Sequence, residues 1–62
     1  MLKEYRKKVG LSQSQLADDS GVSVRMIQKY EQGEKDINRA QAETVYKLSK
    51  ALGCTMEELI RK

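Results

Sequence analysis

SQSQLADDSGVSVRMIQKYEQG (residues 12–33) contains two short helix patterns with Gly21 between them. Ser12 and Gln15 have the spacing of a capping box, in which the serine oxygen accepts from the third helical amide and the glutamine reaches back. The first helix is therefore predicted to begin at Gln13. Gly21 supplies the left-handed backbone conformation that a short connection between helices needs.

The second helix is predicted to follow a cap at Ser23, to run from Val24 towards Gln32 and to stop at Gly33. At 100° per residue it has an inward arc and an outward arc of different character. A short polar face rich in hydrogen-bonding groups is therefore expected to point outward. The inward arc holds Ile27, Tyr30 and Glu31, and the outward arc holds Arg25, Gln28, Lys29 and Gln32.

Small and apolar residues occupy the corner between these helices. Ala17 lies one turn before the glycine, where a small side chain lets two helices cross closely, and Leu16, Val22 and Ile27 fill the corner. The order Gln, Leu-Ala, Gly-Val-Ser and Ile resembles the helix-turn-helix of the phage-repressor and Cro (XRE) family of DNA-binding proteins. The resemblance covers nearly the whole chain. It implies an all-α, compact five-helix, lambda-repressor-like domain with the helix-turn-helix at its second and third helices.

Length and composition limit the kind of protein this is. The 62 residues, 39% of them hydrophobic, fit a single domain over residues 1–62 whose small core stabilises it by only ~3–5 kcal/mol. One cysteine, Cys54, and no histidine exclude an intrachain disulfide and an ordinary zinc site. No stretch resembles a membrane span or an export signal, so a cytoplasmic protein without a metal is expected.

The positive charge is concentrated before the helix-turn-helix. The net charge is +3 and the sequence pI is about 9.2, the sign expected of a polyanion binder. Residues 1–11 carry four basic side chains against one acidic, whereas residues 12–33 carry two against three. Any DNA contact from the helix-turn-helix must therefore come from a few well-placed donors.

A first amphipathic helix is predicted from the apolar stripe of Leu2, Tyr5 and Val9, ending at Gly10 with Leu11 turned inward. The three tyrosines, Tyr5, Tyr30 and Tyr46, are expected at the core or its edge, one per helix.

An ion pair follows from the family resemblance. In the family, an arginine at the place of Arg6 pairs with a glutamate late in the second motif helix, which here is Glu31. The alternative is two solvated charges. The pair is favoured because Glu31 falls on the inward arc, where an unpaired carboxylate would be costly.

Two further helices are predicted after the polar connection at residues 33–36. The fourth is predicted from Arg39 to Leu52, capped by Asn38 with Gln41 and closed by Gly53. A fifth short helix is predicted after a second capping box. The apolar face of the fourth helix holds Ala42, Val45, Leu48, Ser49 and Leu52; the box is Thr55 with Glu58, and the fifth helix has Met56, Leu59 and Ile60 on one side.

DNA binding is inferred from geometry, since an α-helix fits the width of the major groove of B-DNA. Arg25 is able to fork onto guanine, Gln28 to pair bidentately with adenine, and Lys29 to reach a guanine or a phosphate, while Val24 can touch a thymine methyl. The start of a helix favours a phosphate at Gln13. The resemblance adds further candidate phosphate or groove-edge positions, namely Ser12, Met26, Lys35 and Arg39.

Other interpretations remain open at this point. On periodicity alone, the outward arc is the solvated side of an amphipathic helix, and it is the helix-turn-helix context that favours groove contact. An enzyme is disfavoured because histidine, a phosphate loop and room for a substrate pocket are all lacking. The stronger alternative is a protein-interaction module or antitoxin of the same fold.

A homodimer is expected on double-stranded DNA. One helix pair contacts only half a turn of duplex, so a two-fold dimer reading a palindromic operator with half-sites ~34 Å apart is the expected arrangement. A weak dimer through the fifth helix and the end of the fourth is predicted, with Met56 or Ile60 exposed in the monomer as the contact.

Overall fold

Five α-helices and one 3-10 turn follow one another along residues 2–60, the part of the chain that this computed structural model describes. This order confirms the all-α, five-helix fold expected from the sequence. The helices are α1 (Leu2–Val9), α2 (Gln13–Ser20), α3 (Val24–Gln32), α4 (Ala42–Leu52) and α5 (Met56–Leu59), and the 3-10 turn (Ile37–Arg39) lies between α3 and α4.

Both predicted capping boxes are confirmed. At α2, the Ser12 hydroxyl accepts from the Gln15 amide at 3.1 Å, and the Gln15 side chain accepts from the Ser12 amide at 2.8 Å. At α5, Thr55 and Glu58 repeat the arrangement at 3.1 and 2.8 Å. Two of the backbone donors that each helix start leaves unpaired are thereby satisfied.

The core lies where α2 and α4 face each other. α2 packs against α3 and α4, α1 lies against α3 and α4, and α5 packs on α4. Burial of leucine-sized side chains in this small interior is the main stabilising term. The buried apolar residues are Leu2, Leu16, Val22, Ile27, Val45, Leu48, Leu52 and Leu59.

The start of α4 differs from the prediction. The Asp36 side chain accepts from the Asn38 amide at 2.9 Å, and the amides of Arg39 and Ala40 bond back three residues, which closes the 3-10 turn. Asn38 is thus inside that turn and caps nothing. Ala40 is extended, and the helix begins only after Gln41, whose side chain makes no capping bond.

Several apolar side chains are more exposed than predicted, and others less. Val9 is 48% and Tyr46 is 51% exposed, and Ala42, the first residue of α4, is also exposed. A helical wheel gives the direction of a side chain but not how far the neighbouring elements reach along the helix. Conversely, Met56 and Ile60 are half-buried against the core rather than exposed.

Candidate nucleic-acid interface

The corner between α2 and α3 is fixed by local hydrogen bonds. Gly21 has φ +77° and its amide donates to the Ala17 carbonyl at 2.9 Å. The Ser23 hydroxyl accepts from the Met26 amide at 3.2 Å and so caps α3. The left-handed glycine turns the chain at low conformational cost, and the serine sets where the next helix begins.

The outer face of α3 is open to solvent along its first two turns. Arg25 and Gln28 are exposed, Val24 is 37% exposed, and Lys29 is half-buried. On the opposite side, Ile27 is 0% exposed and anchors the helix. The outer face of α3 therefore faces solvent, while the opposite side of the helix packs against the core.

Gln13 lies between the outer face of α3 and its buried side. The Gln28 Nε2 donates to the Gln13 Oε1 at 3.4 Å, and the Gln13 Nε2 donates to the Glu31 Oε1 at 3.0 Å. The structure thus brings together two of the residues that the sequence assigned to different DNA contacts. Both side chains belong to the junction where the first turn of α2 meets α3.

Arg6 and Glu31 form a bidentate ion pair that joins α1 to α3. Arg6 Nε donates to Glu31 Oε2 at 2.7 Å, and Arg6 Nη2 donates to Glu31 Oε1 at 3.1 Å. The remaining guanidinium nitrogen, Nη1, donates to the Leu11 carbonyl at 2.8 Å. The two side chains are 11% and 4% exposed, so most of the surface of the pair is shielded from solvent.

The ionisation of Glu31 reflects these contacts. Burial by itself raises the pKa of the carboxyl, but the hydrogen bonds from Arg6 and Gln13, together with the charges of Arg6 and Lys3, more than offset burial and lower that pKa from its ordinary value. The same hydrogen bond raises the pKa of Arg6, against the opposing effect of burial. Near neutral pH the carboxylate is therefore charged and accepts hydrogen bonds only.

The candidate phosphate contacts lie in two places. Ser12 and Gln13 lie at the start of α2, whereas the exposed Lys35 and Arg39 lie on the connection between α3 and α4. Met26 is half-buried against the core, and its amide is already bonded to Ser23. Of the first two, Gln13 bonds to Gln28 on the outer face of α3, whereas Lys35 and Arg39 follow the C-terminal end of α3 along the chain.

The bond between Gln13 and Glu31 is the feature of this site that sequence reasoning missed. The sequence places Gln13 at a helix start and Glu31 on an inward arc, and neither position indicates a contact between the two. The two residues are 18 positions apart, so no local spacing rule relates them. Their contact depends on how α2 crosses α3.

We expect acid to destabilise the protein through Glu31. Because folding lowers the pKa of this carboxyl, the unfolded chain binds the proton more tightly than the folded protein does. The stabilisation that ionised Glu31 gives the folded state is therefore lost as the pH falls below the ordinary pKa of 4.5 and through the folded pKa. Thermal unfolding across this range, compared with Glu31→Gln, measures the effect. The variant should be less stable at pH 7, and the gap should narrow on acidification; a constant gap contradicts the prediction.

Residues 2–60 lack a cluster of metal-binding side chains and a helix suited to span a membrane. These residues contain no group of three or more histidine, cysteine, aspartate or glutamate side chains arranged to hold a metal ion. None of their helices has the length and apolar character required to traverse a bilayer.

Comparison with known proteins agrees with this geometry. The sequence matches the helix-turn-helix family over residues 2–59, which includes α1 to α5 in full. No curated protein and no solved structure matches it. The family match covers most of the chain and includes the corner, the caps and the outer face of α3. The chain therefore belongs to the helix-turn-helix family of DNA-binding regulators, in the XRE group of phage-repressor and Cro type.

Proposed function

We propose that this protein is a cytoplasmic, sequence-specific regulator of transcription that binds double-stranded DNA with α3 in the major groove. The observation that supports this most is the outer face of α3, where Arg25 and Gln28 are exposed while Ile27, on the other side, is fully buried. A helix anchored in this way projects base-reading groups without disturbing the core. We propose repression, because a protein seated in the groove excludes others from the same base pairs.

Base reading is assigned to the first two turns of α3. Arg25 is exposed and is suited to the O6 and N7 acceptors of guanine, and Gln28 offers the donor and acceptor that adenine requires. We assign a thymine methyl contact to Val24, which is 37% exposed. Lys29 is half-buried, and we assign its ammonium to a guanine or a phosphate, since a lysine can bury its stem while its charged end stays in water.

Phosphate binding is assigned to the two flanks of this helix. Ser12 uses its hydroxyl oxygen as the cap of α2, which leaves its hydroxyl proton for a phosphate. Gln13 is the first residue of α2, where free backbone amides and the positive end of the helix dipole favour a phosphate. Lys35 and Arg39, both exposed, supply cationic contacts on the other side of the groove, and Met26 lies at the groove edge.

A homodimer on the operator is proposed from the size of the domain. Its longest extent is 24 Å, shorter than the ~34 Å between half-sites one helical turn apart, so one copy reaches only one half-site. We place the contact at α5 and the end of α4. Because Met56 and Ile60 are half-buried within the monomer, little apolar surface is left there, which favours a weak dimer that forms on DNA.

Selection from a random duplex pool at about 50 and about 200 mM salt tests the proposal. The expected result is an enriched palindromic sequence whose binding weakens as salt rises. Binding that is salt-sensitive but unselective would contradict sequence-specific regulation. No retained DNA at either salt concentration would favour the alternative, a protein-interaction module or antitoxin of the same fold.

A further inference from the structure

A chain of hydrogen bonds leads from the buried ion pair to the outer face of α3. It starts at Arg6, passes through Glu31 and Gln13, and ends at Gln28, with the successive bonds at 2.7, 3.0 and 3.4 Å. Along this chain the exposure rises from a nearly buried carboxylate, 4% exposed, to a solvent-exposed amide.

The direction of this chain is fixed at its buried end. An ionised carboxylate has no proton to donate, so whatever side chain bonds to Glu31 must present a donor. Gln13 therefore turns its Nε2 towards Glu31 and its Oε1 towards Gln28. Gln28 must in turn present its Nε2 to that oxygen. Each amide has two possible orientations, and the charge of Glu31 selects one of them in both.

We propose that Glu31 is a specificity-determining residue that orients the Gln28 amide and so makes it prefer adenine, an inference that rests on the proposed function. With one Nε2 proton bonded to Gln13, Gln28 keeps one donor and one acceptor, in a fixed order along the groove. Adenine presents the complementary pair, the N7 acceptor and the N6 donor, whereas guanine presents two acceptors. The buried carboxylate acts as a positioning residue, since it acts only through Gln13.

The Glu31→Gln variant tests this orientation directly. Its amide can donate to Gln13, which allows Gln13 and then Gln28 to turn over. The base pair read by Gln28 is first located as the operator position at which Gln28→Ala loses its preference. Binding is then measured on four duplexes that differ only at that base pair. A bidentate contact predicts a preference of the parent protein for adenine of about fivefold or more, and Glu31→Gln is expected to reduce it to less than about threefold.

A second variant guards against loss of folding in Glu31→Gln. Gln13→Leu interrupts the chain but leaves both Arg6–Glu31 contacts in place, so the ion pair continues to join α1 to α3. The same flattening of the adenine preference is expected. The proposed phosphate contact at Gln13 is made by the backbone amides at the start of α2, which Gln13→Leu retains. A change in that contact would alter binding to all four duplexes alike. Preferences at the base pair read by Arg25 should be unchanged in either variant.

The outcomes separate this inference from the proposed function. If the variants bind all four duplexes more weakly but keep the adenine preference of the parent, Glu31 has only a structural role and the inference is overturned. If the parent protein selects no sequence at all, the proposed function fails, and this inference fails with it. Loss of preference confined to the Gln28 position supports both.

Discussion

Replacement of Arg6 by methionine is expected to unfold a large fraction of the protein at 25 °C. Glu31 is only 4% exposed, and without the guanidinium its charge would remain buried with the bond from Gln13 as its main support. Removal of one partner from a buried ion pair lowers the free energy of unfolding by about 3–5 kcal/mol. That is comparable to the total stability of about 3–5 kcal/mol expected of a domain of this size. The folded fraction is measured by far-ultraviolet circular dichroism as a function of urea.

Two control variants show whether burial of the unpaired charge is the cause. The double variant Arg6→Met with Glu31→Met should recover most of the stability, because apolar replacement of both partners is often neutral or stabilising. Lys47→Met breaks the exposed Lys47–Glu43 pair, 3.6 Å apart with side chains 45% and 75% exposed, and should change stability by no more than about 0.5 kcal/mol. If Arg6→Met has a urea midpoint similar to that of Lys47→Met, the buried pair contributes no more than a surface pair.

Arg25→Ala is expected to relax base preference at one position in each half-site while leaving the fold intact. Arg25 is exposed, and its side chain makes no hydrogen bond or ion pair with any other residue in the 2–60 range, so its truncation should change stability by less than about 0.5 kcal/mol. A bidentate contact to guanine is worth about 1–3 kcal/mol, so discrimination at that base pair should fall by about 5- to 150-fold. Binding to duplexes with single base changes measures this.

Arg39→Ala is the matched control for this experiment. Arg39 is also an exposed arginine, but it lies on the 3-10 turn and is assigned to a phosphate. Its removal should weaken binding to all duplexes alike and reduce the slope of log affinity against log salt by about one. Equal losses across sequences for both variants would show that Arg25 does not read a base.

The limits of sequence reasoning are clearest around α4. Asn38 and Gln41 have the spacing of a capping pair, but Asp36 is a competing cap two residues upstream and closes a 3-10 turn around Asn38. Both arrangements satisfy local rules, and spacing alone does not rank them. The packing of Ile37 and Ala40 against the core accompanies the turn that forms, a contact that depends on the rest of the fold.

The same limit explains the exposed aromatic side chain of α4. The sequence predicts Tyr46 at the core or its edge, yet it is 51% exposed, and the Lys50 ammonium lies over its ring, 5.8 Å from the ring centroid. Val45 and Leu48 on the neighbouring positions fill the available interior. In a core this small, few side chains can be buried, and which of them are buried depends on the helices packed opposite.

The sequence by itself determined where α2, α3 and α5 begin and which side of α3 faces outward. Caps and helical periodicity act over three or four residues. The capping residues Ser12, Ser23 and Thr55 therefore predict these helix starts without any tertiary contact. The tertiary structure decided the contact of Gln13 with Glu31 and Gln28, because residues 15 to 18 positions apart meet only through the crossing of α2 and α3. The hydrogen bonds that link Glu31 to Gln28 through Gln13 therefore follow from the tertiary structure alone, although periodicity already placed Glu31 on the inward side of α3.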